Sequence, residues 1–284
     1  MSDDGWVRVA ATVCAPDAEL VADDLWRAGA AGVEEQQTGR DRVRLIGGFA
    51  SATAAATALD LLARRGVDGD LEPVVDDGLD GWRAHARAEH AGPFWLVPTW
   101  VAAPVGADAG SVLRLDPGRT FGSGSHPTTR LVVAQLAGLV RPGDRVIDVG
   151  TGSGVLAVAA ARLGADRVEA IDIDAASPAT VAANAAANGV GDRVHASTEA
   201  VADVVARTGP AEVVAAHLLA PVLRELGTEL ASAVAPGGHL VASGLLADRW
   251  RDGVAPLAGL EVVAVADEEG WASVVLARPR AARR

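Results

Sequence analysis

Apolar and polar positions change their period several times along the chain, and those changes divide it. "WVRVAATV" (6–13) alternates, as a strand with one buried face does. In "DAELVADDLWRAGA" (17–30), Leu20, Val21 and Leu25 recur at helical spacing, and Gly29 and Gly32 stop the pattern. "GVEEQ" and "DRVRLIGG" predict two strands joined by a polar turn around Gly39. "SATAAATALDLLARRG" predicts a helix with Ser51 as N-cap and Gly66 as C-terminal stop, and "DLEPVV" predicts a closing strand. The order β-α-β-β-α-β over residues 1–75 is that of a ferredoxin-like α+β domain, a fold that names no single function.

Between 76 and 100 the periodicity weakens into an expected linker: acidic "DDGLDG", then Trp82, then "GPFWLVPTW". Trp82, Phe94, Trp95 and Trp100 cluster here, either pinning the linker or forming a lip of a substrate site. Over 101–284 strands alternate with helices: "RVIDVG", "GVLAVAAARLG", "RVEAIDI", "PATVAANAAANG", "RVHAS", "AEVVAAH", "APVLRELGTELASAV", "HLVASGL". That alternation predicts a mostly parallel sheet with helices on both faces. "LEVVAVADEEGWASVVLARP" predicts two further strands joined by a short turn, so the sheet ends in an antiparallel hairpin.

Composition narrows the function. Half of the 284 residues are apolar and the net charge is −12, which disfavours direct nucleic-acid binding and favours a basic protein or cationic substrate. All 25 basic residues are arginine; there is no lysine. Cys14 is the one cysteine, so no intramolecular disulfide or cysteine zinc site forms, and no metal-ligand cluster stands out. The acidic start "MSDDGW" lacks a signal core, and no apolar run approaches the roughly 18 residues that span a bilayer. The expectation is a cytoplasmic protein, monomeric, with no membrane association.

The stretch richest in chemistry is "VIDVGTGSGVLAVAA". A strand ending at Val149 runs through Gly150, Gly152 and Gly154 into a helix, which brings backbone and unpaired N–H groups close to a ligand. Twenty-two residues beyond Gly150, "AIDID" puts Asp172 at the next strand end, placed to accept hydrogen bonds from both ribose hydroxyls. The dinucleotide fingerprint needs Gly or Ala where Val155 stands. A helix, "HPTTRLVVAQLAGL", precedes the first strand, and Asp148 adds a carboxylate suited to a ligand carrying an ammonium and a sulfonium. These features favour S-adenosylmethionine (SAM) over a nicotinamide cofactor.

"LDPGRTFGSGSHPTTRL", "DVGTGSG", "IDID", "AEVVAAHLLAPVLREL" and "PGGHLVASGLL" together resemble the PrmA family, which methylates amino groups of the eleventh protein of the large ribosomal subunit. The resemblance covers nearly the whole chain. It implies a Rossmann-like class I SAM methyltransferase domain, a mostly parallel seven-stranded sheet, behind a small N-terminal domain that recognises the ribosomal protein. It also implies that Thr129 contacts SAM from the preceding helix, that Gly150 and Gly152 line its methionine end, and that Asp172 takes the ribose. Ser123 and Ser125 stand where the family usually has Thr, keeping the hydroxyl, and His126 would orient the loop.

In "VVAAHLLAPV", His217 interrupts an apolar run at the end of the fourth strand of the sheet. The family carries Asn there, where it grips the acceptor amine; a neutral imidazole offers one donor and one acceptor and can also take a proton. Three readings stay open on the sequence: methylation of the same ribosomal protein with His217 holding the amine or acting as base; a SAM methyltransferase with another amine acceptor; and a non-catalytic module that binds SAM or the ribosomal protein.

Overall fold

A computed structural model describes residues 7–30, 32–39, 41–73, 85–118, 120, 122 and 124–280. The acidic 76–81 stretch, Trp82 and Ser123 lie outside these residues. The chain divides into two compact units, Met1–Gly81 and Trp82–Arg284.

The first unit contains β1 (Val7–Cys14), α1 (Ala18–Arg27), β2 (Gly32–Gln37), β3 (Arg42–Phe49), α2 (Ala52–Arg64) and β4 (Gly69–Pro73). The strands order as β2-β3-β1-β4, every neighbouring pair antiparallel. Alternate residues of β1 (Val9, Ala11, Val13) and of β3 (Val43, Leu45) pack with Val21 and Leu25 of α1 and Ala55, Ala58 and Leu62 of α2 in one core. Leu20, placed by spacing on the same apolar stripe, is instead 52% exposed. Ser51 caps α2, its Oγ accepting from Ala54 N–H at 3.2 Å. Ser51→Ala is expected to destabilise this unit by about 1 kcal/mol and Ser51→Gly by a few tenths, read as shifts in urea midpoint at constant slope.

In the second unit the described part of the expected linker, residues 85–100, contains two strands. β5 (Glu89–Ala91) and β6 (Phe94–Pro98) form a three-stranded sheet with β7 (Val112–Leu115), and Phe94 and Leu96 are buried in the unit's core. Their apolar side chains need a partner face, and Val132, Val133 and Leu136 of α3 (Pro127–Leu139) belong to the same core. Phe94 thus belongs to a core, whereas Trp100 remains on the surface.

The large sheet has strand order β10-β9-β8-β11-β12-β14-β13. It comprises β8 (Arg145–Val149), β9 (Arg167–Ile171), β10 (Val194–Ser197), β11 (Ala211–His217), β12 (Val234–Leu246), β13 (Glu261–Glu268) and β14 (Trp271–Ala277). Only β14 runs against the direction of the other six strands, pairing antiparallel with β12 and β13, so that the sheet ends in the expected hairpin. Period-two alternation sends Val146, Val168, Val213 and Ala215 to one face, under α3, α4 (Val155–Leu163) and α5 (Ser177–Ala187). Ile147, Val149, Ile171, Val214 and Ala216 take the other, under α6 (Val201–Thr208), α7 (Ala220–Glu225), α8 (Gly227–Ala233) and α9 (Trp250–Val254). The single helix expected over 220–234 is broken at Leu226: a Cβ on Gly227 would sit 3.0 Å from the Pro256 carbonyl oxygen, so the backbones touch there. In every ion pair described in the two units the basic partner is an arginine.

Candidate active site

Val149, Ile171 and His217 end the neighbouring strands β8, β9 and β11, and all three line one cleft of about 660 Å³. The cleft sits where the strand order reverses on either side of β8, the position at which open α/β sheets bind ligands.

Its floor is the glycine loop. Gly150 N–H and Thr151 N–H both donate to Ile171 O, at 2.9 and 3.1 Å, which folds the loop back over β9. Gly150 has φ +75°, and a Cβ there would lie 3.0 Å from His217 O, so only glycine fits without displacement. Asp172 fixes the loop from the next strand end. Its Oδ2 accepts from Gly152 N–H at 2.8 Å and its Oδ1 from Asp174 N–H at 3.0 Å. A carboxylate has about four acceptor positions, so two remain for a ligand. Ser177, first residue of α5, lines the same wall; it is 1% exposed and its Oγ has no hydrogen-bond partner among the described residues. Glu199 lines the cleft beyond β10 and is held by Arg207 at 2.6 Å. A carboxylate with spare acceptors, an orphaned hydroxyl, and a glycine backbone beside mostly apolar walls suit the ribose, base and methionine portions of SAM.

At the opposite end the ring of His217 meets the start of α3. Thr128 Oγ1 lies 2.8 Å from His217 Nε2 and 2.6 Å from His126 Nδ1. His126 is the N-cap of α3, its ring accepting from Thr128 N–H at 3.3 Å. Trp271, first residue of β14, lines the cleft edge-on to His126 with ring centres 5.0 Å apart. Burial, with a smaller contribution from His126, pushes His217 down to about 4, so its imidazole is neutral at pH 7.

Gly150, Gly152, Asp172 and His217 therefore share one cleft, and two other expected residues do not join them. Thr129 is buried off the cleft, its Oγ1 without a hydrogen-bond partner among the described residues; Thr128 takes the cleft position. Adjacent helical residues point about 100° apart, so only one of the pair can face the ligand. Asp148 also lies off the cleft. Strand alternation turns it to the face of Val146, beneath α4, where Oδ2 accepts from Thr151 Oγ1 (2.7 Å) and Ala157 N–H (3.1 Å). It is 0% exposed, Oδ1 has no partner among the described residues, and burial pushes its carboxyl up to about 7. Ser177, Thr128 and Trp271 were not among the expected residues. Only Thr128 carried a sequence signal, the phase of a helix starting at Pro127.

Comparison with known proteins agrees with this geometry. The family described as Ribosomal protein L11 methyltransferase (PrmA) matches residues 79–279. A Ribosomal protein L11 methyltransferase of Symbiobacterium thermophilum is 36% identical over 271 residues, covering 93% of this chain and 83% of that protein. One of Thiobacillus denitrificans is 35% identical over 299 residues, covering 95% and 98%. Among solved structures, ribosomal protein L11 methylase from Lactobacillus delbrueckii subsp. bulgaricus superposes with TM-score 0.59 at 30% identity, covering 66% of this chain and 96% of that one. With its seven-stranded sheet, glycine loop and Asp172 in place, the chain belongs to the PrmA family of ribosomal protein L11 methyltransferases.

Proposed function

We propose that this SAM-dependent protein methyltransferase transfers methyl groups to amino groups of ribosomal protein L11, on lysine side chains, the N-terminal amine or both, and that His217 holds the acceptor nitrogen. The observation that carries the reading is that His217 ends the strand beside the glycine loop and lines the same cleft as Asp172. Bound SAM supplies an electrophilic methyl on sulfur. The chain's residues must present a neutral nitrogen in line with it and keep water away, and such positioning accounts for much of a displacement's acceleration. The chain's net charge of −12 draws a cationic partner.

His217 serves as a hydrogen-bond partner rather than a proton store. A lysine ammonium has pKa about 10.4 and an α-ammonium about 7.7–8, whereas imidazolium here holds its proton only below about 4. The amine's proton therefore leaves to solvent, and the imidazole orients the nitrogen that remains. The pH–rate profile is accordingly expected to follow the acceptor amine, with no inflection from His217 between about pH 6 and 9. An inflection in that range that vanishes in His217→Asn would restore the base role.

The direct test is incubation with methyl-labelled SAM and ribosomal protein L11 from the same host. Label transferred at catalytic turnover supports the reading; tight SAM binding without label on that protein sinks it. His217→Ala is expected to lower kcat by about tenfold or more while the SAM dissociation constant stays nearly unchanged.

A further inference from the structure

We infer that Arg130, Glu268 and Glu269 are positioning residues, a latch that sets the Trp271 ring at the acceptor end of the cleft. Glu269 holds a costly backbone conformation to complete it. The inference rests on the reading of the His217 end of the cleft as the place of the acceptor amine.

The turn between β13 and β14 raises the question. Glu268 pairs with Trp271, so Glu269 and Gly270 alone make the turn, with φ of +50° and +81°. Two positive values in a two-residue hairpin turn are the pattern that favours Asn-Gly, because Asn tolerates the left-handed region better than a longer side chain does. Glu269 is the one non-glycine residue with a positive φ among the described residues. At that position Asn would cost less, so the turn by itself does not account for a glutamate.

Arg130, in the first turn of α3, does account for it. Its Nη2 donates to Glu268 Oε1 at 2.6 Å and to Glu269 Oε1 at 3.0 Å, and its Nε donates to Glu268 Oε1 at 3.2 Å. Its Nη1 donates to Ser125 O at 2.5 Å, and the side chain is 14% exposed. One planar guanidinium thus ties together the end of β13, the turn and the chain entering α3. His126 follows Ser125, and Trp271 follows the turn. Their rings meet edge-on, centres 5.0 Å apart, and both residues line the cleft. The remainder of β14 has other supports: Trp271 pairs with Leu246 of β12, and Gln135 of α3 donates to Ser273 O at 3.3 Å. Removing the latch therefore leaves the sheet intact and loosens only its edge at the cleft.

The test compares Glu269→Asn with Arg130→Gln in the full-length protein, using methyl-labelled SAM and ribosomal protein L11 from the same host. Glu269→Asn relieves the turn and removes one arm of the latch. It is expected to unfold at an equal or higher urea midpoint, yet to lower kcat/KM for L11 about threefold or more with the SAM dissociation constant unchanged. Arg130→Gln removes every arm and is expected to lower kcat/KM about tenfold. The pair also separates the latch from attraction of a cationic acceptor by an acidic rim. Attraction predicts a loss for Glu269→Asn but a gain for Arg130→Gln, which leaves both carboxylates without their counter-charge. The Trp271 indole N–H signal in ¹⁵N NMR, assigned by its absence in Trp271→Phe, is expected to move in both variants. Full kcat/KM or a lowered midpoint in Glu269→Asn, opposite signs in the two variants, or an unmoved indole signal overturns the latch. If the wild-type protein leaves L11 unlabelled, the reading of the acceptor end fails instead, and the midpoint and indole signal still decide whether the latch holds Trp271.

Discussion

Asp172→Ala is expected to weaken SAM binding by at least about 100-fold, measured by titration calorimetry. A hydrogen bond to a charged group contributes about 1.5–3 kcal/mol, and the carboxylate has two acceptor positions left for a ribose diol after Gly152 and Asp174 are satisfied. Two such bonds lost correspond to roughly 10²–10⁴ in affinity. The substitution also releases Gly152 N–H, so the glycine loop loses its tie to β9 at the point where it approaches the ligand. Asp172→Asn is expected to fall nearly as far, because whichever side the amide nitrogen takes, it meets a backbone N–H or forfeits an acceptor. A dissociation constant within about threefold of the wild type would remove Asp172 from the ribose site.

Asp148→Asn is expected to stabilise the protein at neutral and alkaline pH, with a gain that disappears in acid. The carboxyl, pushed by burial from 3.8 to about 7, binds its proton more tightly in the folded state than in the unfolded one. Between those values the folded state carries more protons, so this group's contribution to stability falls as pH rises from about 4 to 7 and is constant above. A shift of that size corresponds to roughly 4 kcal/mol at most, and protein relaxation will reduce it, so a gap of about 2–4 kcal/mol at pH 8 is expected. Asn mimics the protonated acid: its carbonyl oxygen can accept from Thr151 and Ala157 as Oδ2 does. Denaturation curves of the two proteins should therefore converge near pH 4. Equal stability at pH 8 would mean that Asp148 ionises without penalty beneath α4.

Much of this was legible in the chain because local pattern and tertiary burial agree. Alternation in β8 and in β11, glycines at Gly150 and Gly154, and a carboxylate at the next strand end each have a single structural use, and the fold places them together. The two expected residues that lie off the cleft, Thr129 and Asp148, sit where pattern alone leaves a two-fold choice. Strand periodicity puts Val146 and Asp148 on one face, but which face meets the ligand depends on the crossovers. Helical spacing separates Thr128 from Thr129, but the phase is set by the cap at His126. The strands at 89–98 are short, and their burial depends on β7 and α3, whose pairing no local pattern announces. Trp271 reaches the cleft only because the terminal hairpin folds back beside β12.

The arginine-only ion pairs have an outcome at the bench and in the cell. An enzyme for which we propose amine acceptors carries, in this chain, no side-chain amine of its own. Guanidinium keeps its proton at any physiological pH and so has no free lone pair to offer a methyl donor. Such a protein cannot squander cofactor by marking its own side-chain amines, and it cannot be silenced by acylation at lysine. In a labelling experiment, radioactivity found on a side-chain amine belongs to the partner.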